Sequence, residues 1–283
     1  MKFNRVVRPG LILSIAVLAA PAILAQQAPT RAIKEIADDL YWAQNNNHHA
    51  VFLVTDDGVI LADPINTDFA GWLKSEIDSR FGVPVRYVLY SHNHWDHASG
   101  GGVFDDTALF VGHENMPGNL ALPADDTPFP ANAAELDANG DGQIDASEAT
   151  GNFAANLNLF DVNGDGMISG AEATRGALND VRVPDIVYKD RMTVTLGGKS
   201  VNLIHVGTMD HTNDYSLVYF PGERAVFVVD YISIGRVAFQ TIFRTSGAGV
   251  LDGLLNSIRM VEFLDFDIVA PGHGVVGNKS DIA

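Results

Sequence analysis

The sequence contains no cysteine and few basic residues. The lack of cysteine excludes disulfide scaffolds, thiolate zinc fingers, iron–sulfur centres and cysteine nucleophiles. Lysine and arginine number 18 against 35 aspartates and glutamates, and the formal net charge is −17. Such an acidic surface repels phosphate backbones, so we expect no nucleic-acid partner. Hydrophobic residues make up 47% of the chain, which is enough for a substantial core and excludes wholesale disorder.

Residues 1–25 have the pattern of a secretory signal peptide. Three basic residues precede a mainly apolar run from Leu11 to Ala25, which ends in a small-residue cleavage pattern. This run is shorter than the roughly 20 apolar residues that a transmembrane helix needs. We therefore expect a periplasmic or secreted protein without membrane attachment after cleavage. An uncleaved N-terminal anchor is the alternative.

Apolar runs between turn signals predict a layered α/β fold. A helix with apolar residues at helical spacing is predicted from Phe69 to Phe81, and Gly82 ends it. We expect strands or hairpins over residues 40–43, 50–55, 59–62, 85–90, 109–112, 192–206 and 215–229. The residues before Leu40 are predicted to be a polar lead-in.

The composition changes sharply near Pro123. Between Asp125 and Asp180 the chain has eleven acidic residues and one basic residue, Arg175, and strand signals resume only at Ile186. The acidic segment is therefore predicted to be an insertion into the α/β domain. The expected organisation is a first part of the domain at 26–123, an insertion at 124–180 and a second part at 181–283.

The insertion contains two twelve-residue segments, 137–148 (loop 1) and 161–172 (loop 2), with the ligand spacing of a calcium loop. Calcium takes six to eight oxygen ligands, which such a loop supplies from positions 1, 3, 5, 7, 9 and 12, and a glycine at position 6 permits the turn. The predicted calcium positions are Asp137, Asn139, Asp141, Gln143, Asp145 and Glu148 in loop 1, and Asp161, Asn163, Asp165, Met167, Ser169 and Glu172 in loop 2.

The two loops resemble those of the EF-hand family in every one of these positions. Only residues 149–160 separate them, which leaves space for about one helix where an ordinary EF-hand pair has two and a linker. In this respect the arrangement is nearer to the loop–helix repeats of dockerin-like modules. We expect Ca²⁺ to bind and to stabilise the insertion, in a small helical subdomain.

A second metal-ligand pattern follows the predicted buried strand. Three imidazoles and one carboxylate lie within six residues, in the segment Ser91-His92-Asn93-His94-Trp95-Asp96-His97. Imidazole and carboxylate are the ligands that zinc accepts when thiolates are missing. The spacing of two places His92 and His94 on one side of an extended segment, while His97 points elsewhere. The pattern therefore suggests two metal positions.

This segment is the HxHxDH motif of the metallo-β-lactamase superfamily, which the chain resembles in five ordered motifs over about residues 36–120 and 186–276. His211, Asp230 and His273 are similar to the later ligands of that superfamily, and Asp63 to its strand-end aspartate. The resemblance implies an α/β fold of the αββα sandwich type, with metals at one edge of the two sheets. It implies one zinc bound by His92, His94 and His211, a second by Asp96, His97 and His273, Asp230 between them, and Asp63 behind a ligand imidazole.

The resemblance also implies the chemistry. A hydroxide held by two Zn²⁺ ions would attack an amide, ester or lactone-type bond of a small-molecule substrate, and Asp96 would orient it. The expected protein is thus a secreted dinuclear zinc hydrolase. A calcium-responsive periplasmic binding protein with a vestigial hydrolase site is the alternative, and the complete set of seven ligands favours the enzyme. The substrate and the oligomeric state stay open, and so does a truncation of the C terminus, because the chain ends ten residues after His273.

The remaining histidines are given structural roles. His48 and His49 are predicted to lie in a polar loop, with substrate contact as the alternative. His113 is predicted to be structural rather than a ligand, and His205 to be a hydrogen-bonded residue of a hairpin. Trp95 is expected to pack rather than to hold a substrate.

Overall fold

The computed structural model describes residues 28–208, 211–235 and 250–282. The predicted signal peptide at 1–25 lies outside the described residues, as do Met209 and Asp210, the two residues that precede His211.

The regular elements follow one another along the chain in a mixed order. The described strands are β1 (Arg31–Ala37), β2 (Leu40–Asn45), β3 (His48–Thr55), β4 (Gly58–Ala62), β5 (Val85–Leu89), β6 (Leu109–His113), β7 (Gln143–Ile144), β8 (Ile168–Ser169), β9 (Ile186–Tyr188), β10 (Arg191–Leu196), β11 (Lys199–His205), β12 (Ser216–Phe220), β13 (Ala225–Val228), β14 (Ile268–Pro271) and β15 (Gly277–Asn278). The described α-helices are α1 (Thr67–Phe81), α2 (Trp95–Ala98), α3 (Met116–Leu120), α4 (Gly151–Ala155), α5 (Leu157–Phe160), α6 (Gly170–Arg175) and α7 (Val250–Glu262).

The strands form two large sheets and one small one. The first sheet has the order β1-β2-β3-β4-β5-β6-β9, antiparallel as far as β4 and parallel from β4 to β9. The second has the order β10-β11-β12-β13-β14-β15, in which β13 and β14 are parallel. In parallel sheets the carboxyl ends of neighbouring strands lie at one edge, where binding sites usually form. The histidine motif follows β5 at such an edge.

The two large sheets share one hydrophobic core. Leu53 and Ile60 of the first sheet belong to the same buried cluster as Leu217 and Phe227 of the second. Strands of this kind, buried on both faces, are expected to be almost continuously apolar, and β4 is buried at every position.

Helices cover the sheets on their outer sides. Helix α1 begins after Asn66, whose side chain accepts a hydrogen bond from the N–H of Phe69, and ends at Gly82 in the left-handed conformation (φ 65°). Its buried face packs on the first sheet, and Val261 of α7 packs into the core that contains the second sheet. The fold is therefore the predicted αββα sandwich. Within the described residues, no helix is both long enough and apolar enough to span a bilayer.

The acidic segment lies between β6 and β9 and has a small hydrophobic core of its own. Ile144, Phe153, Phe160 and Ile168 are buried together there. Strands β7 and β8 pair antiparallel, with Ile144 opposite Ile168. The residues between the two loops form two single-turn helices, α4 and α5, rather than the one helix that their length suggested. The domain boundaries at 123/124 and 180/181 stay a prediction.

Two predictions of local structure were wrong. The polar lead-in is strand β1, which pairs with β2 from Arg31 to Ala37. Its polar residues are tolerated because β1 lies at the edge of the sheet, where one face and one side meet solvent. The predicted polar loop at His48 and His49 is the beginning of β3, where the two histidines pair with Asn45 and Gln44. The turn between β2 and β3 is thus only two residues long.

Candidate metal centre

Five chain segments at one edge of the sandwich carry the candidate site. Residues 91–97 follow β5, Asp63 follows β4, His211 lies between β11 and β12, Asp230 lies just beyond β13, and His273 follows β14. The N–H of Ser216 in the second sheet donates to the carbonyl of Ser91 beside the first sheet at 2.8 Å, which joins the sheets here. Side chains far apart in the sequence therefore meet because the strand ends of both sheets converge.

One group of ligand atoms comes from three imidazoles and one carboxylate. The members are His92, His94, His211 and Asp230, whose ligand atoms all lie within 4.8 Å of one another. Asp230 Oδ2 is 3.0 Å from His211 Nε2 and 3.3 Å from His92 Nε2. The three histidines are those to which the family resemblance gave the first zinc.

A second group shares Asp230. Its other oxygen, Oδ1, lies 3.3 Å from His97 Nε2 and 3.0 Å from His273 Nε2, and these two ring nitrogens are themselves 3.0 Å apart. Two imidazole nitrogens at that distance need a single proton or a cation between them. The two oxygens of Asp230 therefore face two different pairs of imidazoles.

Asp96 borders the second group together with a residue that the sequence analysis had not made a ligand. Asp96 Oδ2 is 3.6 Å from His97 Nε2 and 3.9 Å from His273 Nε2, but it is closest, at 3.3 Å, to His48 Nε2. His48, Asp96 and His273 form a further group with metal-ligand spacing. No motif contains His48; it reaches the site because it forms a β-bridge with His273 across the two sheets. From the sequence alone, contact with a substrate was the alternative given for this residue, and ligation of a metal was not predicted.

The ring of His92 is held by residues behind it. Ser91 Oγ donates to Asp63 Oδ2 at 2.6 Å and lies 3.0 Å from His92 Nδ1, and Tyr215 stacks on the imidazole at 4.6 Å. Because the Ser91 hydroxyl donates its proton to Asp63, its oxygen accepts a hydrogen bond from Nδ1–H of His92. The lone pair on Nε2 of His92 then faces the first group. Asp63 thus acts on His92 through Ser91, and it lies 3.8 Å from His97 Nδ1.

His273 is held in a similar way. Its Nδ1 lies 3.0 Å from the carbonyl oxygen of Asn47 and donates to it, so Nε2 faces His97 and Asp230. The preceding residue, Gly272, has no space for a side chain, because a Cβ there would be 2.7 Å from Val229 Cγ1. The backbone of this turn is therefore packed directly against β13.

The charged and neutral residues of the site shift one another's pKa values in different directions. Burial opposes a charge on His97, but Asp230, Asp96 and Asp63 outweigh it and raise the pKa of His97 to about 9. Burial also opposes the charge on Asp230 and on Asp96; the surrounding histidines outweigh it and hold both pKa values well below the usual range. Burial and the neighbouring imidazoles lower the pKa of His94, which is therefore neutral at pH 7.

These residues fit a divalent metal. His92 Nε2 and Asp230 Oδ1 are buried and make no hydrogen bond, although buried polar atoms are almost always satisfied. Both atoms point at the groups described above. Imidazole nitrogens and carboxylate oxygens are also the donor set that zinc accepts. The positive φ of Asp63 (58°) and Asp230 (62°) adds local strain of the kind that clusters at functional sites.

The other singled-out residues lie where their side chains are satisfied. His113 stacks on His205 at 3.7 Å and bonds to the carbonyl of Lys189 at 2.8 Å, away from both groups. His49 is buried, and burial lowers its pKa to about 4. Trp95 packs against the core of the insertion and against the core beneath α1, so it contacts both parts of the chain.

The two acidic loops have equivalent hydrogen-bond patterns. In loop 1, Asp137 accepts from the N–H groups of Gly140 and Gly142, and Glu148 accepts from those of Ala138 and Asp145. Loop 2 repeats this pattern with Asp161 accepting from Gly164 and Gly166, and Glu172 from Val162 and Ser169. Among the described residues, the acids of the loops belong to none of the groups with metal-ligand spacing. Calcium binding therefore stays a prediction.

Comparison with known proteins relates the chain to one family. The family model described as the metallo-beta-lactamase superfamily matches residues 44–273. The structure is similar to that of a metallo-beta-lactamase from Pontibacter korlensis, with a TM-score of 0.58 and 16% identity, over 89% of this chain and 95% of that one. It is also similar to metallo-beta-lactamase SMB-1 bound to 2-mercaptoethanesulfonate, with a TM-score of 0.52 and 19% identity, over 84% of this chain and 78% of that one. A comparison with curated proteins finds no match.

Proposed function

The chain belongs to the metallo-beta-lactamase superfamily, whose fold is that of metal-dependent hydrolases, and from this premise we propose that it is a secreted dinuclear zinc hydrolase. Its substrate is a small molecule with an amide, ester or lactone-type bond. One observation carries the proposal: Asp230 turns Oδ2 toward His92 and His211, and Oδ1 toward His97 and His273. A carboxylate in that position is suited to lie between two cations.

The assignment of ligands follows from the two groups. We place one Zn²⁺ with His92, His94 and His211, the other with Asp96, His97 and His273, and Asp230 between them. When bound, such a pair of ions would lower the pKa of a water molecule and stabilise negative charge on a substrate oxygen. The Ser91–Asp63 pair fixes the ring of His92, and Asn47 fixes that of His273.

Asp96 is the residue best placed to orient a water molecule. Its carboxylate is partly exposed, and its pKa stays well below the usual range despite burial, because His48 donates to it and His97 is charged. An ionised carboxylate can accept a hydrogen bond from an attacking water and orient it. His48 holds Asp96 Oδ2 from the open side of the site.

The compartment is part of the proposal. The signal-peptide pattern at 1–25 supports export to the periplasm or the medium, and the absence of cysteine is compatible with an oxidising compartment. The net charge of −17 favours a small-molecule substrate over a nucleic acid.

Metal content and turnover test this function together. We expect about two zinc ions per chain after dialysis, and far fewer in the His92→Ala/His94→Ala variant, because each of its two substitutions removes a ligand of the first group. His205→Asn, which changes an imidazole outside the groups, is the matched control. The zinc-loaded protein is then offered a β-lactam, a lactone, a thioester and a phosphodiester. Equal zinc in all three proteins, or hydrolysis that survives complete zinc removal, would contradict the proposal.

We further propose that loops 1 and 2 bind Ca²⁺ as a structural pair. The supporting observation is the pairing of Ile144 with Ile168, which occupy position 8 of their loops and join them back to back. The side chains at positions 1 and 12 already fold each loop around itself. Calorimetric titration of the full chain with Ca²⁺, zinc kept saturating, should give two sites, and no heat of binding would refute the proposal.

A further inference from the structure

A cleft runs from the candidate metal centre to the acidic insertion. Its volume is about 540 Å³, which is within the range of small-molecule sites. Its lining includes His94 and His211 with Asn93 and also residues 174–178, at and beyond the end of α6. A molecule that reacts at the metal centre can therefore contact the insertion.

Arg175 is the one permanently charged side chain among the described residues that line this cleft. It stands out because the protein is strongly acidic and because all the other lining residues are neutral or histidine. The guanidinium is half-buried, so its charge is less well hydrated than that of an exposed arginine.

Both hydrogen bonds of this guanidinium go to neutral groups, and the charge of Glu172, three residues earlier on α6, acts on it without forming an ion pair. Arg175 Nε donates to the carbonyl of Leu120 at 2.8 Å, and Nη1 donates to Asn179 Oδ1 at 2.7 Å. By contrast, Arg182 and Arg224 each pair with two carboxylates. Among the described residues Arg175 makes no ion pair and Nη2 makes no hydrogen bond. An arginine fixed in orientation, with donors remaining, is prepared for an oxyanion.

We propose that Arg175 binds an anionic oxygen group of the substrate, a carboxylate or a phosphate, in the part of the cleft that the insertion forms. This inference rests on the proposed hydrolase function, and it narrows the substrate to molecules that carry such a group away from the bond to be cleaved. The selectivity comes from the insertion, because Arg175 lies in it.

The position of Arg175 is set by the short helix that carries it. Ser169 and Glu172 form a capping box at the start of α6, and Glu172 is buried. At Gly170 a Cβ would lie 2.1 Å from the carbonyl oxygen of Thr127, so the helix is packed closely on the preceding segment. Beyond the helix, Leu178 is buried in the core beneath α1. Arg175 is therefore anchored on both sides along the chain.

The test compares ligands with one and with two anionic ends. The dicarboxylates succinate, glutarate and adipate, and 3-phosphonopropionate, are titrated calorimetrically into the full-length zinc-treated protein beside butanoate, pentanoate and hexanoate. The first end of each ligand can bind at the metal centre in every variant, so only the second end reports on Arg175. We expect Arg175→Gln to weaken at least one two-ended ligand by about tenfold and the matched one-ended ligand by less than about twofold. Arg175→Lys should recover part of the loss.

Controls separate a binding role from a structural one. Arg191→Gln, at an exposed position of β10 whose side chain makes no ion pair with the described residues, should leave all affinities unchanged. If Arg175 only tied the insertion to Leu120, its loss would lower the melting temperature and weaken both ligand classes equally, which would overturn the inference. No loss for any two-ended ligand would also overturn it. If the protein holds no zinc but Arg175→Gln still weakens a two-ended ligand about tenfold, the proposed zinc hydrolase is refuted and the proposed anion site is supported. Comparison of the dicarboxylates with the phosphonate identifies the anion that Arg175 prefers.

Discussion

The two candidate metal regions of this molecule are built in opposite ways. The residues of the metal centre are spread from His48 to His273 and meet through the strand ends of two sheets, where half of them are buried and none is exposed. Loops 1 and 2 each use twelve consecutive residues, of which seven in loop 1 and five in loop 2 are exposed. The first site depends on the whole fold, whereas the second depends on local sequence.

The difference extends to the hydrogen bonds. At the metal centre, His92 Nε2 and Asp230 Oδ1 have no hydrogen-bond partner, and the imidazoles are oriented from behind. In loop 1, by contrast, the carboxylates of Asp137 and Glu148 accept hydrogen bonds from backbone N–H groups of other residues in the loop. A metal ion entering the centre thus meets ligands already in place, while a cation entering a loop must rearrange or share bonds that exist. We expect the two regions to respond differently to mutation, to pH and to each other.

The largest effect should come from Asp230→Asn. Asparagine tolerates the positive φ at this position but lacks the charge that faces both imidazole pairs. We expect the variant to lose most of its zinc, and kcat/KM to fall by about a hundredfold or more, since first-coordination groups matter at least as much as their supports. Zinc analysis and turnover measure this. Asp252→Ala, at an exposed position on α7, is the control, and normal zinc in Asp230→Asn would show that this carboxylate is not shared.

The sequence predicted the local features better than the long-range ones. Helix α1, its end at Gly82, and the hairpin turns were predictable because each depends on residues close in the chain. The ligand pattern of His92, His94, Asp96 and His97 could be recognised from its spacing alone. The other three predicted ligands were found only through the family resemblance, since no spacing brings His211, Asp230 or His273 to His92. Strand β1 was missed because an edge strand needs few apolar residues.

His48 and Arg175 show most clearly what could not be predicted from the sequence. His48 reaches Asp96 through a bridge between β3 and the residue after β14, over 200 positions away. Arg175 was noticed only as the single base in an acidic segment, and its place in the cleft depends on how the insertion packs against the sandwich. Contacts of this kind are properties of packing, which residue patterns do not encode one by one.

The second largest effect should be that of pH on zinc affinity. In the metal-free protein, burial opposes the charge on His97, but the carboxylates of Asp230, Asp96 and Asp63 raise its pKa to about 9. Zinc binds neutral imidazole, so binding must release this proton at any pH below about 9. The affinity should therefore rise about tenfold per pH unit from pH 7 to pH 9 for each proton released, and level off above.

Calcium provides the internal comparison for this prediction. The twelve predicted calcium positions include no histidine, so calcium affinity should stay constant over the same range. Both affinities are measured on one preparation at each pH, zinc against a competing chelator and calcium by calorimetry. The prediction is wrong if the zinc affinity does not change with pH, or if the calcium affinity rises with pH as steeply as the zinc affinity.

A smaller effect is expected from the double variant Glu148→Gln/Glu172→Gln. Glutamine retains hydrogen-bonding capacity at position 12 but cannot bind calcium bidentately as a carboxylate does. Calcium should raise the melting temperature of the wild type by several degrees and that of the variant by much less. Zinc content should be unchanged in both. Glu114→Gln/Glu135→Gln, which changes two exposed glutamates outside the loops, is the matched control. Equal calcium shifts in all three proteins would show that the loops are not sites that stabilise this fold.

The smallest effect concerns the contact between the two regions. Glu172 is the last position of loop 2 and lies on α6 three residues before Arg175, so the residue proposed to bind calcium and the residue proposed to bind the substrate anion share one short helix. Trp95, between two predicted zinc ligands, packs on the core of the same insertion.

Helix α6 is also held by its capping box and by the close packing at Gly170, so loss of calcium should loosen it only partly. We therefore expect removal of calcium by a calcium-selective chelator to weaken the two-ended ligands by about two- to threefold, which is below the ordinary range of coupling between sites, and to leave the one-ended ligands unchanged. The coupling should disappear in Arg175→Gln, because the group that transmits it is gone. The same affinities with and without calcium would mean that the insertion places Arg175 without help from the ion. An equal loss for both ligand classes would mean that calcium acts through Trp95 on the metal centre instead.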